Sequence, residues 1–167
     1  MWFKVHPREP DYVSRAPCRI EVEATIAAPA AALFAMVSSG RAMRNWMADF
    51  VSIRWMSAPP HGVGSTRELM LKTMALRERV LIWNPGARLT MSVYGITAPL
   101  VREMVEDIRL SPLGDLSTRM HWGLYYAPSF SLRLVHPLAR AVFDTLLHDS
   151  IRALAQYAPV QQSAVAP

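Results

Sequence analysis

The pattern of hydrophobic and polar positions changes character near residue 130 of the chain. Over residues 132–157 apolar side chains recur every three or four positions, and polar side chains recur every fourth position between them. This spacing is that of an amphipathic helix, so it predicts one long helix near the C-terminus. The apolar positions are Leu138, Val142, Phe143, Leu146, Leu147, Ile151 and Leu154, and the polar ones are Arg140, Asp144, His148 and Arg152. A helix with so broad an apolar face needs a sheet to cover it.

Upstream of this helix the pattern is alternation, which is typical of half-buried strands. A first strand at 19–25 is followed by two short helical segments at 30–37 and 41–46. Further alternating stretches, separated by Gly- and Pro-rich turns, are 49–56, 64–72, 76–83, 89–94, 101–110 and 116–126. Strands joined by short turns pair antiparallel. We therefore predict an α+β helix-grip fold, with a curved antiparallel sheet of six to seven strands around the long C-terminal helix.

The chain of 167 residues is long enough for one domain with a substantial core. Residues 1–17 contain three prolines and no periodicity, and they are interpreted as an N-terminal arm. Residues 18–158 form the predicted single domain, and 159–167 are interpreted as a flexible tail. Pro137 leaves open whether the turn before it belongs to the long helix or to a separate short one.

Composition and charge narrow the function classes. No apolar run reaches the roughly 18 to 20 residues of a membrane span, and the N-terminus lacks the layout of a secretory signal, so we expect no integral membrane segment. Cys18 is the one cysteine, which rules out an internal disulfide and favours a cytoplasmic location. The net charge is +5, but the arginines are scattered rather than grouped with aromatic residues, so nucleic acid is not the expected partner.

Several segments in order resemble the START-like superfamily, and more narrowly its polyketide cyclase/dehydrase and lipid-transport branch, also called SRPBCC proteins. They are the strand-to-helix segment 26–34 with its Ala-Ala-Pro sequence, Trp46, the turn 62–67, the strand 78–85 and the hairpin 110–122. The resemblance covers about residues 18–157. It implies a Bet v 1-like helix-grip fold with a pocket between sheet and helix, and a ligand that is apolar.

Alternation along the strands places four charged residues on the otherwise apolar inner face of the sheet: Arg67, Glu78, Arg102 and Glu106. One hypothesis is a polar cluster that anchors a ligand's carboxylate, hydroxyl or carbonyl, or that contains a carboxylate base with a raised pKa. The other is structural, because buried charges are costly unless they are paired. In that case Arg67 pairs with Glu78 on the adjacent strand, and Arg102 pairs with Glu106.

Aromatic residues and methionines complete the candidate ligand-binding set, because methionine adapts to irregular shapes and aromatic rings give flat apolar walls. Those predicted to line the inner face or its mouth are Trp46, Tyr94, Met104, Met120, Trp122 and Tyr126. The five histidines do not fall at metal-ligand spacing, and no acidic residue is placed with them as a catalytic triad requires. We therefore expect neither a metal nor a cofactor.

Three functions stay open on the sequence alone. The first is binding or carriage of a hydrophobic small molecule, lipid-like or polyketide-like, in an internal cavity. The second is a cyclase, dehydratase or hydrolase acting on such a ligand, with Glu78 or Glu106 as the base and Arg67 or Arg102 polarising a carbonyl. The third is an interaction protein, for example a homodimer, that docks through the aromatic residues Trp2 and Phe3.

Overall fold

The computed structural model describes residues 1–130 and 136–163, the last four of these for the backbone only. In chain order the described elements are β1 (Phe3–Lys4), α1 (Tyr12–Arg15), β2 (Cys18–Ile26), α2 (Ala30–Ser38), α3 (Gly40–Met43), β3 (Phe50–Trp55), β4 (Thr66–Leu71), β5 (Ala75–Asn84), β6 (Arg88–Ile96), β7 (Val101–Gly114), β8 (Ser117–Pro128) and α4 (His136–Ser163). The predicted α+β helix-grip fold, with two short helices after the first long strand, is confirmed.

All strands pair antiparallel, in the order β2-β8-β7-β6-β5-β4-β3. The pairing of β6 with β7 ends at Ser92 opposite Val105, and β1 then pairs with β6 at Gly95 and Ile96. The N-terminal arm therefore supplies a short strand to the part of β6 that β7 leaves uncovered.

The alternation of β8 shows how the sheet faces its core. Met120, Trp122, Leu124 and Tyr126 are all buried and belong to the main hydrophobic cluster, as the pattern predicts. On the opposite face Tyr125 is also buried, because Tyr12 and Ala16 of the arm region pack against it and Val105. The sheet thus has a main core on its inner face and a smaller one on its outer face.

The buried face of α4 is narrower than the sequence predicted. Phe143, Leu147, Ile151 and Leu154 are buried, but Leu138 is 71% exposed and Val142 is 45% exposed. Residues spaced by four advance roughly 40° around a helix at each step, so the row through Leu146, Val142 and Leu138 turns progressively away from the buried face towards the N-terminus of α4. The prediction that Leu138 and Val142 face the sheet is wrong for this reason.

Helix α4 extends beyond the predicted end, to Ser163, with Pro159 inside it. The first residues of the expected tail are therefore helical, although the domain limits of 18 and 158 stay a prediction. The turn before Pro137, which the sequence left open, falls in residues 132–135 and lies outside the described residues. No described helix has the length and hydropathy that a membrane crossing requires.

The aromatic residues of the arm pack on the chain's own sheet. The guanidinium of Arg77 lies 4.0 Å from the centre of the Trp2 ring, and Phe3 packs against the main hydrophobic cluster. The third hypothesis assumed that Trp2 and Phe3 are available to a partner. In the structure both side chains instead contact other residues of the same chain. A homodimer stays a prediction without a surface assigned to it.

Candidate functional site

The inner face of the sheet and α4 enclose one small cavity. It is lined by Met47, Leu69, Leu71, Met74, Leu76, Glu78, Val93, Met104, Glu106, Trp122, Leu124, Phe143, Leu146 and Leu147. Its volume is about 30 Å³, which is room for one or two water molecules. The sequence predicted a pocket here, but the space between sheet and helix is almost filled in this conformation.

An open groove lies directly outside this cavity. It has a volume of about 330 Å³ and is lined by Ala48, Asp49, Thr73, Met74, Ala141, Val142, Thr145, Leu146 and Asp149. Met74 and Leu146 line both the groove and the cavity, so these two side chains form the wall between them. The exposed Val142 lies on the groove side of that wall.

Two of the predicted charges form a buried ion pair. Arg67 on β4 and Glu78 on β5 are register partners, and Nε of Arg67 donates to Oε2 of Glu78 at 2.7 Å. Their side chains are 1% and 0% exposed. The guanidinium also lies 5.8 Å from the centre of the Trp55 ring. The structural hypothesis for this pair is confirmed.

Glu106 on β7 has a different environment from the one predicted. It is 7% exposed, and the indole Nε1 of Trp122 donates to its Oε1 at 2.6 Å. Burial, and then the negative charge of Glu78, raise the pKa of Glu106 to about 8 against the opposing effects of Arg67 and Trp122. At neutral pH Glu106 is therefore mostly protonated.

These four side chains, Arg67, Glu78, Glu106 and Trp122, form what we call the interior polar cluster. Its hydrogen bonds run from Arg67 to Glu78 and from Trp122 to Glu106. Among the described residues, the buried Nη1 of Arg67 and Oε1 of Glu78 have no hydrogen-bond partner. Oε1 of Glu78 is thus an unused acceptor, and Nη1 of Arg67 is an unused donor.

Arg102 does not belong to this cluster. It is exposed, and the predictions that it faces the interior and pairs with Glu106 are wrong. Val101 pairs with Pro128 and Glu103 pairs with Ala127, so Arg102 is the additional residue of a β-bulge. The extra residue shifts the alternation by one position, which turns Arg102 outward while Met104 and Glu106 face inward.

Tyr94 does not line the cavity either. It is the additional residue of a second bulge, because Arg77 pairs with Gly95 and Glu78 pairs with Val93. Its hydroxyl lies 3.7 Å from Sδ of Met56, a side chain that is 46% exposed. The prediction that Tyr94 lines the inner face is therefore wrong, whereas Val93 beside it does line the cavity.

The other predicted residues are buried on the inner face. Met104 and Trp122 line the cavity. Trp46 packs edge-on against Trp122 at 6.0 Å between ring centres, and its Nε1 has no hydrogen-bond partner among the described residues. Tyr126 packs against Phe143, at 5.8 Å, and its hydroxyl lies 3.0 Å from Nε2 of His136. Met120 is fully buried in the main cluster but does not reach the cavity.

Sequence reasoning missed residues that complete the site. Trp55 is the register partner of Arg67, a pairing fixed by the β3–β4 connection rather than by alternation within either strand. Met47 and Met74 come from connecting segments, where no periodicity marks a buried position. Phe143 and Leu147 were assigned to the buried face of α4, and that signal could have placed them above the cavity.

No group of three or more His, Cys, Asp or Glu side chains in the described part of the chain is arranged to hold a metal ion. The interior polar cluster contains two carboxyl groups, but that of Glu78 is already ion-paired with Arg67. The expectation that the chain needs no metal or cofactor stays a prediction.

Comparisons with known proteins agree with this geometry. The family model described as polyketide cyclase / dehydrase and lipid transport matches residues 17–159. A START superfamily protein from Mycobacterium smegmatis superposes with a TM-score of 0.70 at 15% identity, over 86% of this chain and 98% of that one. The protein XoxI from Bacillus cereus gives 0.70 at 14% identity, over 87% and 98%. The Zhui aromatase/cyclase from Streptomyces sp. R1128 gives 0.66 at 14% identity, over 83% and 89%. No curated protein sequence matches the chain.

Proposed function

Since this chain belongs to the polyketide cyclase/dehydrase and lipid-transport family, we propose that it binds a hydrophobic small molecule between the sheet and α4. The observation that carries the proposal is an enclosed apolar surface, interrupted only by the interior polar cluster, with an open groove directly outside it. An apolar lining with a few convergent polar groups is the usual composition of a small-molecule site.

The ligand enters from the groove. The groove alone, at about 330 Å³, falls within the size range of small-molecule sites, whereas the cavity does not. A ligand lying in the groove reaches the interior polar cluster once Met74 and Leu146 move aside. Methionine has three rotatable bonds and repacks at low cost, so Met74 is the part of the wall that yields first.

Binding is tested with the neutral apolar dye N-phenyl-1-naphthylamine, whose fluorescence rises in an apolar site. Met74→Trp enlarges the wall between groove and cavity, and we expect it to weaken dye binding at least tenfold. Met70→Trp is the matched control, because Met70 lies on the neighbouring strand and is 41% exposed. Unchanged binding in Met74→Trp, or no binding by the wild-type chain, would contradict the proposal.

A second candidate function rests on the unequal environments of the two carboxyl groups. Glu106 holds a proton while Glu78 is ion-paired with Arg67, and a proton donor beside such a group is suited to acid and base roles. We propose that a bound ketone is enolised here. Glu106 gives its proton to the carbonyl oxygen, and Glu78 takes a proton from the adjacent carbon. The C–H electron pair forms the new C=C bond, and the electron pair of the broken C=O π bond forms the new O–H bond.

This activity is measured as deuterium exchange at the carbon next to the carbonyl of 2-octanone, followed by proton NMR in D₂O. We expect wild-type protein to accelerate the exchange and Glu78→Gln to abolish the acceleration. Exchange no faster than in buffer alone would remove the catalytic function and leave the binding function standing.

A further inference from the structure

The charges inside the site already balance without a ligand. Arg67 carries one positive charge and Glu78 carries one negative charge, and Nε and Oε2 of the pair are 2.7 Å apart. Glu106 is neutral in its protonated form. The interior polar cluster therefore has no net charge at neutral pH, and a charged ligand would have to bring its own charge into the core unpaired.

A carboxylate ligand is opposed further by its neighbours. Both acidic side chains of the cluster line the cavity, whereas Arg67 lies behind Glu78 and does not line it. A ligand carboxylate reaching the cavity would thus meet the negative charge of Glu78 before the positive charge of Arg67. Like charges at such short range in a buried site repel strongly, and this repulsion adds to the cost of desolvating the ligand.

An uncharged polar group is accommodated instead. The hydroxyl of protonated Glu106 is a donor and Oε1 of Glu78 is an acceptor, so the pair offers one hydrogen bond of each kind at the cavity wall. A ligand alcohol or phenol uses both, and a ketone uses the donor. Elsewhere the lining is apolar, which suits the hydrocarbon part of such a ligand.

We propose that the interior polar cluster selects an uncharged hydrophobic ligand bearing a hydroxyl or keto group, and rejects the corresponding carboxylate. This rests on the proposed binding function and defines its ligand class. It decides among the carboxylate, hydroxyl and carbonyl groups that the sequence left as equal alternatives.

The test uses four probes of equal chain length, namely 1-octanol, 2-octanone, octanoate and octane, each displacing N-phenyl-1-naphthylamine from the full chain at pH 7. We expect 1-octanol and 2-octanone to displace the dye at concentrations at least tenfold below that of octanoate. We also expect both to act at lower concentrations than octane, which lacks the polar group. Octanoate is expected to improve as the pH is lowered towards 5, where part of it becomes the neutral acid.

The possible results separate the ligand class from the binding function. If octanoate competes as well as 1-octanol at pH 7, the ligand class is wrong while the binding function stands. If octane competes as well as 1-octanol, the polar cluster takes no part in selection and the inference again fails. If the dye and all four probes fail to bind, the proposed function itself is overturned.

A variant tests the role of Glu106 directly. The titratable groups facing Glu106 are Glu78 from β5 and Arg67 from β4, while β8 presents Trp122 and α4 presents Phe143, Leu146 and Leu147. A neutral ligand buries Glu106 more completely and so favours its protonated form. Wild-type affinity for 1-octanol should therefore fall above about pH 8, by up to roughly tenfold per pH unit.

Glu106→Gln keeps the hydrogen-bonding groups of the protonated acid, because its carbonyl accepts from Trp122 and its amide supplies the donor. We expect this variant to fold, to retain the preference for 1-octanol over octanoate, and to bind 1-octanol equally between pH 7 and 9.5. A wild-type affinity that is equally flat, or a variant that follows the wild-type decline, would show that Glu106 does not face the ligand and would overturn the inference.

Discussion

The two faces of the sheet shift the pKa of a buried carboxyl group in opposite directions, as two neighbouring residues of β7 show. Glu106 faces the interior and Asp107 faces the outer side, where it is 0% exposed. Burial raises the pKa of both. For Asp107 that effect is outweighed by hydrogen bonds from Arg88 at 2.8 Å, from Thr90 at 2.6 Å and from Arg109 at 2.6 Å, and its pKa falls below the ordinary value.

The comparison teaches that burial alone does not set the protonation state. Asp107 receives three donors, two of them cationic, whereas Glu106 receives one neutral indole donor and lies beside another carboxyl group. The outer face therefore uses its buried carboxylate as a fixed counter-charge for arginines. The inner face keeps a carboxylic acid that still has a proton to give.

The largest effect on stability is expected when Arg67, the cation of the interior polar cluster, is replaced. Arg67→Met leaves Glu78 buried without its ion-pair partner, so we expect the free energy of unfolding to fall by about 3–5 kcal/mol, measured by urea denaturation at pH 7. Arg67→Met combined with Glu78→Leu removes both charges and is expected to recover most of the loss. A double variant as unstable as the single one would show that packing, not the unpaired charge, determines the result.

The same amide substitution at the two neighbouring positions sharpens the comparison. Asp107→Asn removes the charge that Arg88 and Arg109 share and should cost about 2–3 kcal/mol at pH 7, a figure reduced because both arginines are partly exposed. Glu106→Gln replaces a group that is already neutral and should cost less than about 1 kcal/mol. Equal losses in the two variants would mean that Glu106 is ionised at neutral pH.

The two faces of the sheet should contribute to the pH dependence of stability in opposite directions. The raised pKa of Glu106 gives a contribution that is complete below its ordinary value and is lost as the pH rises through about 8. Between the ordinary value of 4.5 and about pH 8 the wild-type chain should therefore lose about 1.4 kcal/mol per pH unit, and Glu106→Gln should not. The lowered pKa of Asp107 gives the reverse, a contribution present above its ordinary value of 3.8 and lost as the pH falls through the folded one.

Urea denaturation of both amide variants across the pH range checks these opposite contributions. Asp107→Asn should flatten the stability curve below pH 3.8 and leave the decline between pH 4.5 and about 8 as in the wild type. A decline over that upper range that persists in Glu106→Gln would have to come from another group and would contradict the assignment.

The smallest effect is expected at Arg102. The sequence placed this residue on the inner face of the sheet, paired with Glu106, but its side chain is exposed, so Arg102→Gln should change the free energy of unfolding by less than about 0.5 kcal/mol. Measured under the same conditions as Arg67→Met, it tests whether the bulge is correctly placed. A loss of stability comparable to that of Arg67→Met would indicate that Arg102 lies in the interior and that the bulge is misplaced.

Sequence pattern predicted most of the fold because alternation and helical spacing report directly which face is buried. It also predicted the Arg67–Glu78 pair, since the two residues lie in phase on adjacent strands. It failed at Arg102 and Tyr94 for one physical reason. Each is the unpaired residue of a bulge, and a bulge is defined by the pairing between two strands rather than by the periodicity of one.

The size of the cavity also could not be predicted from the sequence. Whether an apolar lining encloses a void depends on how Phe143 and Leu147 of α4 fill the space above the strands, which composition does not specify. The sequence offered a carboxylate with a raised pKa as one alternative, but it could not assign that pKa to Glu106, for a related reason. It depends on Trp122 and Glu78 converging on one point from two other strands.

The pairing of β1 with the far end of β6 has a consequence for colloidal behaviour. Strand edges with unsatisfied amides recruit strands from other molecules, and this is a common first step of aggregation. Here the chain's own N-terminal residues Phe3 and Lys4 hold that stretch, so a foreign strand must first displace them. Because β1 belongs to the same chain as β6, their pairing does not depend on protein concentration, whereas pairing with a strand of another molecule does. The protection by β1 should therefore matter most at high protein concentration.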